Sequence, residues 1–270
     1  MPANPHRDRD SSTSVNISSD TLFHFTNKYQ NLLNILSNCF SPRYCAEYEP
    51  SYYFHIDKAS GLPDKARSMI CFCDLPIFLI KSHLNWYGEY GIGMRKRWGR
   101  EKGVTPVQYV HERSTIRSML SQLSLFVGDD YKPGTTFPSG NAILEHMEAF
   151  LKPYDGPAIN KQGEEIPYKR FYDEREWRFV PPPVDMRPAK TSLSYDEYSD
   201  PDTLTKANDL VPERAKLYFH APDISYIIVK SDTEVVQLIK ELGKMSKYSD
   251  GVITYLSSRV LSSEQIRSDF

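Results

Sequence analysis

The chain has 270 residues, 40% of them hydrophobic and 25% charged, a balance that supports a packed core and excludes wholesale disorder and fibrous repeats. Its 33 Lys and Arg against 35 Asp and Glu give a net charge of -2, too weak a field for a dedicated duplex-DNA binder, so any basic patch must be local. The 18 Tyr, 13 Phe and 3 Trp suit a core with pockets, because tyrosine joins a flat apolar face to a hydroxyl that can hold a planar ligand.

Residues 1–18 are polar and Ser-rich and predict a disordered arm ahead of one domain over 19–270. The arm lacks the apolar stretch of a secretory signal, and the longest apolar run, Leu75–Ile80, is far short of the roughly 18 residues a membrane span needs. A soluble, cytoplasmic protein is expected, with no membrane partner. Thr21–Thr26 is a β-branched and aromatic strand, and Asn27 with Gln30 has the form of a capping box. Tyr29, Leu32, Leu33 and Leu36 then repeat at helical spacing through Ser37.

Residues 41–67 have no period and read as a long loop. Ser68–Cys73 is a second buried strand, followed by a helix over Ile77–Trp86. In Tyr87–Met94 (YGEYGIGM) three glycines break that helix and lead into a strand that another group approaches closely. A basic segment, Arg95–Lys102, precedes a strand over Thr105–Val110, and helical patterns over Ser114–Phe126 and Ala142–Lys152 predict an inserted helical layer.

Glu174–Val180 alternates, with Arg175, Trp177 and Phe179 on one face and Glu174, Glu176 and Arg178 on the other. After Pro181–Pro183 a polar loop runs to Pro212. The last unit reads as a strand Ile224–Val229, a helix opened by a Ser231 and Glu234 capping box, and a strand Gly251–Leu256. Strands and helices intersperse without strict βαβ alternation, so the fold class is α+β, a single mixed-sheet domain with helical insertions.

The familiar chemical motifs fail. Gly91 and Gly93 begin a GxG, but Lys96 stands where a third glycine belongs, and no GK[ST], GxSxG or HExxH element exists. Cys39, Cys45, Cys71 and Cys73 are too few for a disulfide framework. Cys71 and Cys73 stand too close for a zinc knuckle, so buried inert thiols and no metal are expected.

What remains is dispersed: His24 with Thr26, Cys71 to Asp74, His83 to Met94, and Glu174, Glu176 and Arg178. His24 and Thr26, at i and i+2 on a strand, can face one ligand, and so can Glu174 and Glu176. Each has a structural alternative. His24 reads equally as a satisfied core histidine, Glu176 with Arg178 as an ion pair, and His83 with Tyr87 as one packed helix face. The run Arg95, Lys96, Arg97 and Arg100 around Trp98 is either a solvated helix face or a grip for phosphates.

Taken in order, LFHFT, NILSN, MICFCDLP, HLNWYGEYGIGMRKRWG, PVQYV and EREWRFVP resemble the AbiGi family of abortive phage infection proteins. The resemblance spans roughly residues 21–256 and is densest over 68–110. It implies phage defence and a role as the antitoxin partner of a toxin.

A second, looser resemblance is to ADP-ribosyltransferase folds, from the His and Thr of the first strand, an intermediate Tyr segment and a late Glu strand. It implies NAD as a substrate, with Glu176 stabilising an oxocarbenium-like transition state. Glu174 would orient the acceptor, His24 and Thr26 would hold ribose hydroxyls, and Tyr87 or Tyr90 would stack on nicotinamide. Arg178 or the Arg95–Arg97 run would face the pyrophosphate. The sequence departs from that pattern by lacking a Ser-Thr-Ser strand. Two expectations result: an NAD-dependent ADP-ribosyltransferase acting on a protein or nucleic-acid target, or a non-catalytic antitoxin whose charged strand face and aromatic loops bind a toxin.

Overall fold

β1 (Thr21–Thr26), α1 (Tyr29–Ser37), β2 (Arg43–Glu47) and β3 (Lys65–Cys73) open the computed structural model, which describes residues 18–47, 65–126, 140–159 and 164–269. There follow α2 (Lys81–Tyr87), β4 (Tyr90–Arg95), α3 (Lys96–Glu101), β5 (Thr105–Pro106) and β6 (Gln108–Val110). An inserted layer continues with α4 (Thr115–Phe126), α5 (Gly140–Glu148), β7 (Leu151–Pro153), β8 (Asp155–Ile159) and β9 (Glu165–Arg170). The chain returns through β10 (Glu176–Phe179), α6 (Pro183–Met186), β11 (Ser192–Ser194), α7 (Tyr195–Ser199) and α8 (Pro201–Asp209). It closes with β12 (Ile224–Val229), α9 (Asp232–Lys244), α10 (Asp250–Ser257), β13 (Val260–Ser262) and α11 (Ser263–Asp269).

Among the described residues the main sheet runs β13-β12-β4-β1-β3-β10-β5, with β2 and β11 paired to the first half of the long β3. β12 and β13 are parallel and the other pairs antiparallel, so the fold is α+β with a mixed sheet. β6 with β7, and β8 with β9, form two small sheets outside it. No described helix is long and apolar enough to cross a membrane.

Strand alternation divides the core by faces. Leu22, Phe72, Ile92 and Met94 point to one side, where Leu32 and Leu36 of α1, Trp98 of α3, Leu238 and Leu242 of α9 and Leu256 of α10 bury them. Phe23 and Cys73 point to the other, under Ile80, Leu84 and Ile266. Each large side chain so buried contributes roughly 1.5–3 kcal/mol.

The glycines of β4 have a steric reason. Gly91 and Gly93 lie opposite Phe25 and Phe23, whose ring carbons come within 2.9 Å of where a Cβ would stand. The expected close approach is thus made by the neighbouring strand's own aromatic rings. Gly88 has φ +125, and a Cβ there would sit 2.1 Å from Thr26 O.

Several expected elements change. The strand over 105–110 divides at Val107, because β5 stays on the main sheet while β6 pairs with β7. The strand over 174–180 begins at Glu176, since Phe171–Glu174 closes a 3-10 turn and Arg175 is left-handed, φ 44. The helix over 142–152 stops at Glu148, so Lys152 lies on β7.

Gly251–Leu256 is not a strand but α10. Val252, Ile253 and Leu256 fall on one helical face against the core, and the strand is β13 beyond it. The polar stretch 181–212 contains α6, β11, α7 and α8, with a Ser194–Glu197 capping box and an Asp200 cap. The loop over 41–67 contributes β2 and the start of β3, while 48–64 lie outside the described residues. So do residues 1–17 of the expected arm; Ser18 donates to Asp74. Asn27 does not cap α1, whose N-cap is Lys28 without a side-chain bond. Ser231 caps α9, but Glu234 reaches back to Lys230 N–H instead of closing the box.

Gly88→Ala adds a Cβ to a left-handed backbone already against a carbonyl. Urea denaturation should show a loss of about 3 kcal/mol or more, with the fold retained at low denaturant.

Candidate functional site

β10 sets Glu176 opposite Cys73 and Arg178 opposite Cys71 of β3, on the sheet face that carries Phe23. Arg178 is 0% exposed. Its Nε donates to Glu176 Oε1 (2.5 Å), and Nη1 donates to Glu47 Oε2 (2.8 Å) and to Ala149 O (2.8 Å). Lys152 of β7 donates to Glu176 Oε2 (2.5 Å) and also to Glu174. Lys169 of β9 lies 2.6 Å from Glu174 Oε1 and donates to Tyr87 Oη (3.1 Å), whose hydroxyl in turn donates to Glu174. Its ammonium also lies 3.8 Å from the centre of the Trp86 ring, a cation–π contact.

The order Glu47, Arg178, Glu176, Lys152, Glu174, Lys169 alternates in sign and balances three acids with three bases. Burial alone pushes Glu176 up, but Arg178 and Lys152 more than reverse this and hold it well below the ordinary carboxylate range. Glu174 is lowered in the same way, burial being outweighed chiefly by Lys152. Glu47 is raised, because burial there exceeds the opposing effect of Arg178. Lys152 is raised well above a free lysine, its own burial overcome by Glu176 and Glu174. Both oxygens of Glu176 are occupied, Oε2 also accepting from Arg178 Nη2 (3.2 Å). A carboxylate so held is an anchor, with little left to offer a proton or a cationic transition state.

The other half of the expected constellation lies behind the sheet. His24, Thr26 and Tyr90 share the face of Leu22 and Ile92, since His24 is opposite Ile92 and Thr26 opposite Tyr90. The His24 ring packs 5.4 Å from Phe40 and 5.7 Å from Phe72, and its Nδ1–H donates to Cys71 O (2.8 Å). Burial lowers its pKa, partly offset by that bond. Thr26 Oγ1 accepts from Asn31 of α1 (2.9 Å), and Tyr90 Oη donates to Glu234 of α9 (3.1 Å).

The structure therefore brings Glu174, Glu176, Tyr87 and Arg178 together and does not bring His24, Thr26 or Tyr90 to them. The cause is phase along the strands: Glu176 shares a face with Cys73, and His24 shares one with Phe72, one position away. In the basic run, Lys96 turns inward to Asp74 (2.7 Å) and Arg97 pairs with Glu101 (2.8 Å). All four cysteines are free thiols, and burial pushes the Cys73 thiol well up.

Sequence reasoning missed Glu47, Lys152 and Lys169. Each stands where the sequence reads as loop or helix, and only the pairing of β2, β7 and β9 turns them to one point.

His83 of α2 backs the network. It is 5% exposed, its ring is 5.6 Å from that of Tyr87, and its Nε2 has no hydrogen-bond partner among the described residues. Burial lowers its pKa to about 4, against the pull of Glu174. Between its ordinary value of 6.5 and about 4 the unfolded chain takes a proton that the folded chain refuses, so stability falls as pH falls through that window. From about pH 7 to about pH 5 this amounts to roughly 2 kcal/mol. Urea midpoints should show that part of the pH dependence vanish in His83→Gln.

Fold and site together define a mixed α+β protein whose acid and base groups close on one another in a buried network. Comparison with known proteins carries this further. A family model described as "Putative abortive phage resistance protein AbiGi, antitoxin" matches residues 38–230, and the chain belongs to this AbiGi family. It is similar to the abortive phage resistance protein AbiGi of Lactococcus lactis subsp. cremoris, 27% identical over 262 residues, covering 86% of this chain and 99% of that one. No solved structure gives a significant match.

Proposed function

We propose that the protein acts in abortive phage resistance as an antitoxin, binding and neutralising a toxin without a chemical step of its own. The family description and the name of the Lactococcus relative support the defence context. The observation that carries the non-catalytic reading is the state of Glu176, whose oxygens are engaged by Arg178 and Lys152 while His24 lies across the sheet. Transfer of ADP-ribose from NAD would need the reverse arrangement, a free carboxylate and an imidazole lining one hollow wide enough for a ribose.

The test pairs growth with chemistry. Cells expressing the product of the neighbouring gene should be rescued by this protein, and equally by its Glu176→Gln variant once circular dichroism shows that variant folded. Labelled NAD should give no transfer to lysate components, and millimolar NAD should leave the melting temperature unchanged. Rescue lost in folded Glu176→Gln, together with label transfer by the wild type, would establish the transferase instead.

A further inference from the structure

A toxin can be met only by side chains that reach the surface. The charged strand face expected to do so does not reach it: Glu174, Glu176 and Arg178 are 5%, 6% and 0% exposed, and their charges close on Lys152, Lys169 and Glu47. The tyrosines beside β8 and β9 are placed differently. Alternation along β9 turns Lys169 inward to Glu174 and leaves its neighbour Tyr168 outward and 63% exposed. Tyr172, in the turn after β9, is 45% exposed.

These rings are held in place. Asp155 and Arg170 are partners in the pairing of β8 with β9, which brings Tyr154 alongside the end of β9. Tyr172 N–H donates to Tyr154 O (3.1 Å), and the two rings stack at 5.4 Å and 28°. Tyr109 of β6 meets the Tyr172 ring edge-on at 5.2 Å. Tyr168 Oη donates to Asp155 (3.2 Å), and Arg170 pairs with Asp173 (2.8 Å).

We infer, resting on the antitoxin reading, that Tyr154, Tyr168 and Tyr172 are the surface on which the toxin docks. They take an uncharged patch of protein, with apolar groups over the rings and hydrogen-bonding groups at the hydroxyls. Tyrosine is among the residues that dominate binding energy in protein interfaces. Rings already stacked and hydrogen-bonded lose little freedom when a partner covers them. A single-stranded nucleic acid also stacks on such rings, but it needs free cations beside them to track its phosphates. Here Lys152, Lys169 and Arg170 are each engaged by an acid, so the chemistry of this face selects a protein.

Binding of the full chain to the purified product of the neighbouring gene, with growth rescue in parallel, tests this. Tyr168→Ala and Tyr172→Ala should each weaken binding about tenfold or more, and together abolish rescue, with circular dichroism unchanged. Raising salt from about 0.05 to about 0.5 M should change the affinity less than about threefold, as an uncharged contact requires. Met119→Ala on α4 and Val236→Ala on α9, at exposed apolar positions elsewhere, should bind as the wild type does. Should the double variant not fold, Tyr168→Ala alone decides. Binding and rescue kept by the tyrosine variants, or lost in Met119→Ala instead, would overturn the docking surface and leave the antitoxin reading standing. A wild type that neither binds nor rescues would sink both. If Tyr168→Ala splits a dimer of this chain, or releases a labelled single-stranded DNA, without weakening toxin binding, the tyrosines serve another occupant and the docking surface is refuted.

Discussion

The buried Arg178 guanidinium sets the terms for its surroundings. An arginine cannot shed its charge, and removing it from water without a partner is prohibitive. Glu176 and Glu47 must therefore meet it, and Glu176 then requires Lys152 for its remaining oxygen. Lys152 in turn draws Glu174, and Glu174 draws Lys169 and Tyr87. One obligatory charge on β10 thus fixes side chains from β2, β7, β9, α2 and the turn before β10. A sequence of alternating charges, each satisfied by the next, also explains how an acidic pair in i, i+2 spacing is tolerated, its mutual repulsion outweighed by the cations it shares.

The same arrangement sets the protonation of its members. At the centre of the network the paired charges drive Glu174 and Glu176 down and Lys152 up, away from the near-neutral range that acid–base catalysis uses, while at its ends burial raises Glu47 and lowers Lys169. His24 and His83 are both lowered by burial, so they are neutral members of the packed interior. On the antitoxin reading proposed above, what the protein would offer a partner is shape and surface.

Much of the fold was legible from residues. Thr21–Thr26, α1, β12 and α9 each carry a strong period within a few residues, and the glycines of β4 announced a close approach that Phe23 and Phe25 make. α10 was illegible because Val252, Ile253 and Tyr255 are strand-like by type, and only their packing shows the helical period. In the candidate site, the company of Glu174, Glu176 and Arg178 could be read from spacing, but strand phase between β1 and β10 could not. That phase passes through β3, and a shift of one residue reverses every side chain. Glu47, Lys152 and Lys169 reach the site only by long-range pairing, for which single-sequence reasoning has no signal.

The placement of β4 bears on how the chain matures during synthesis. β4 sits between β1, already made, and β12, which begins at Ile224 after 128 intervening residues. Until that late strand emerges from the ribosome, β4 has one unpaired edge and Ile92 and Met94 lack the cover of α9. A half-built sheet with an open border invites pairing with a neighbouring nascent chain. The sheet is therefore closed only when the segment from Ile224 onward is made and captured.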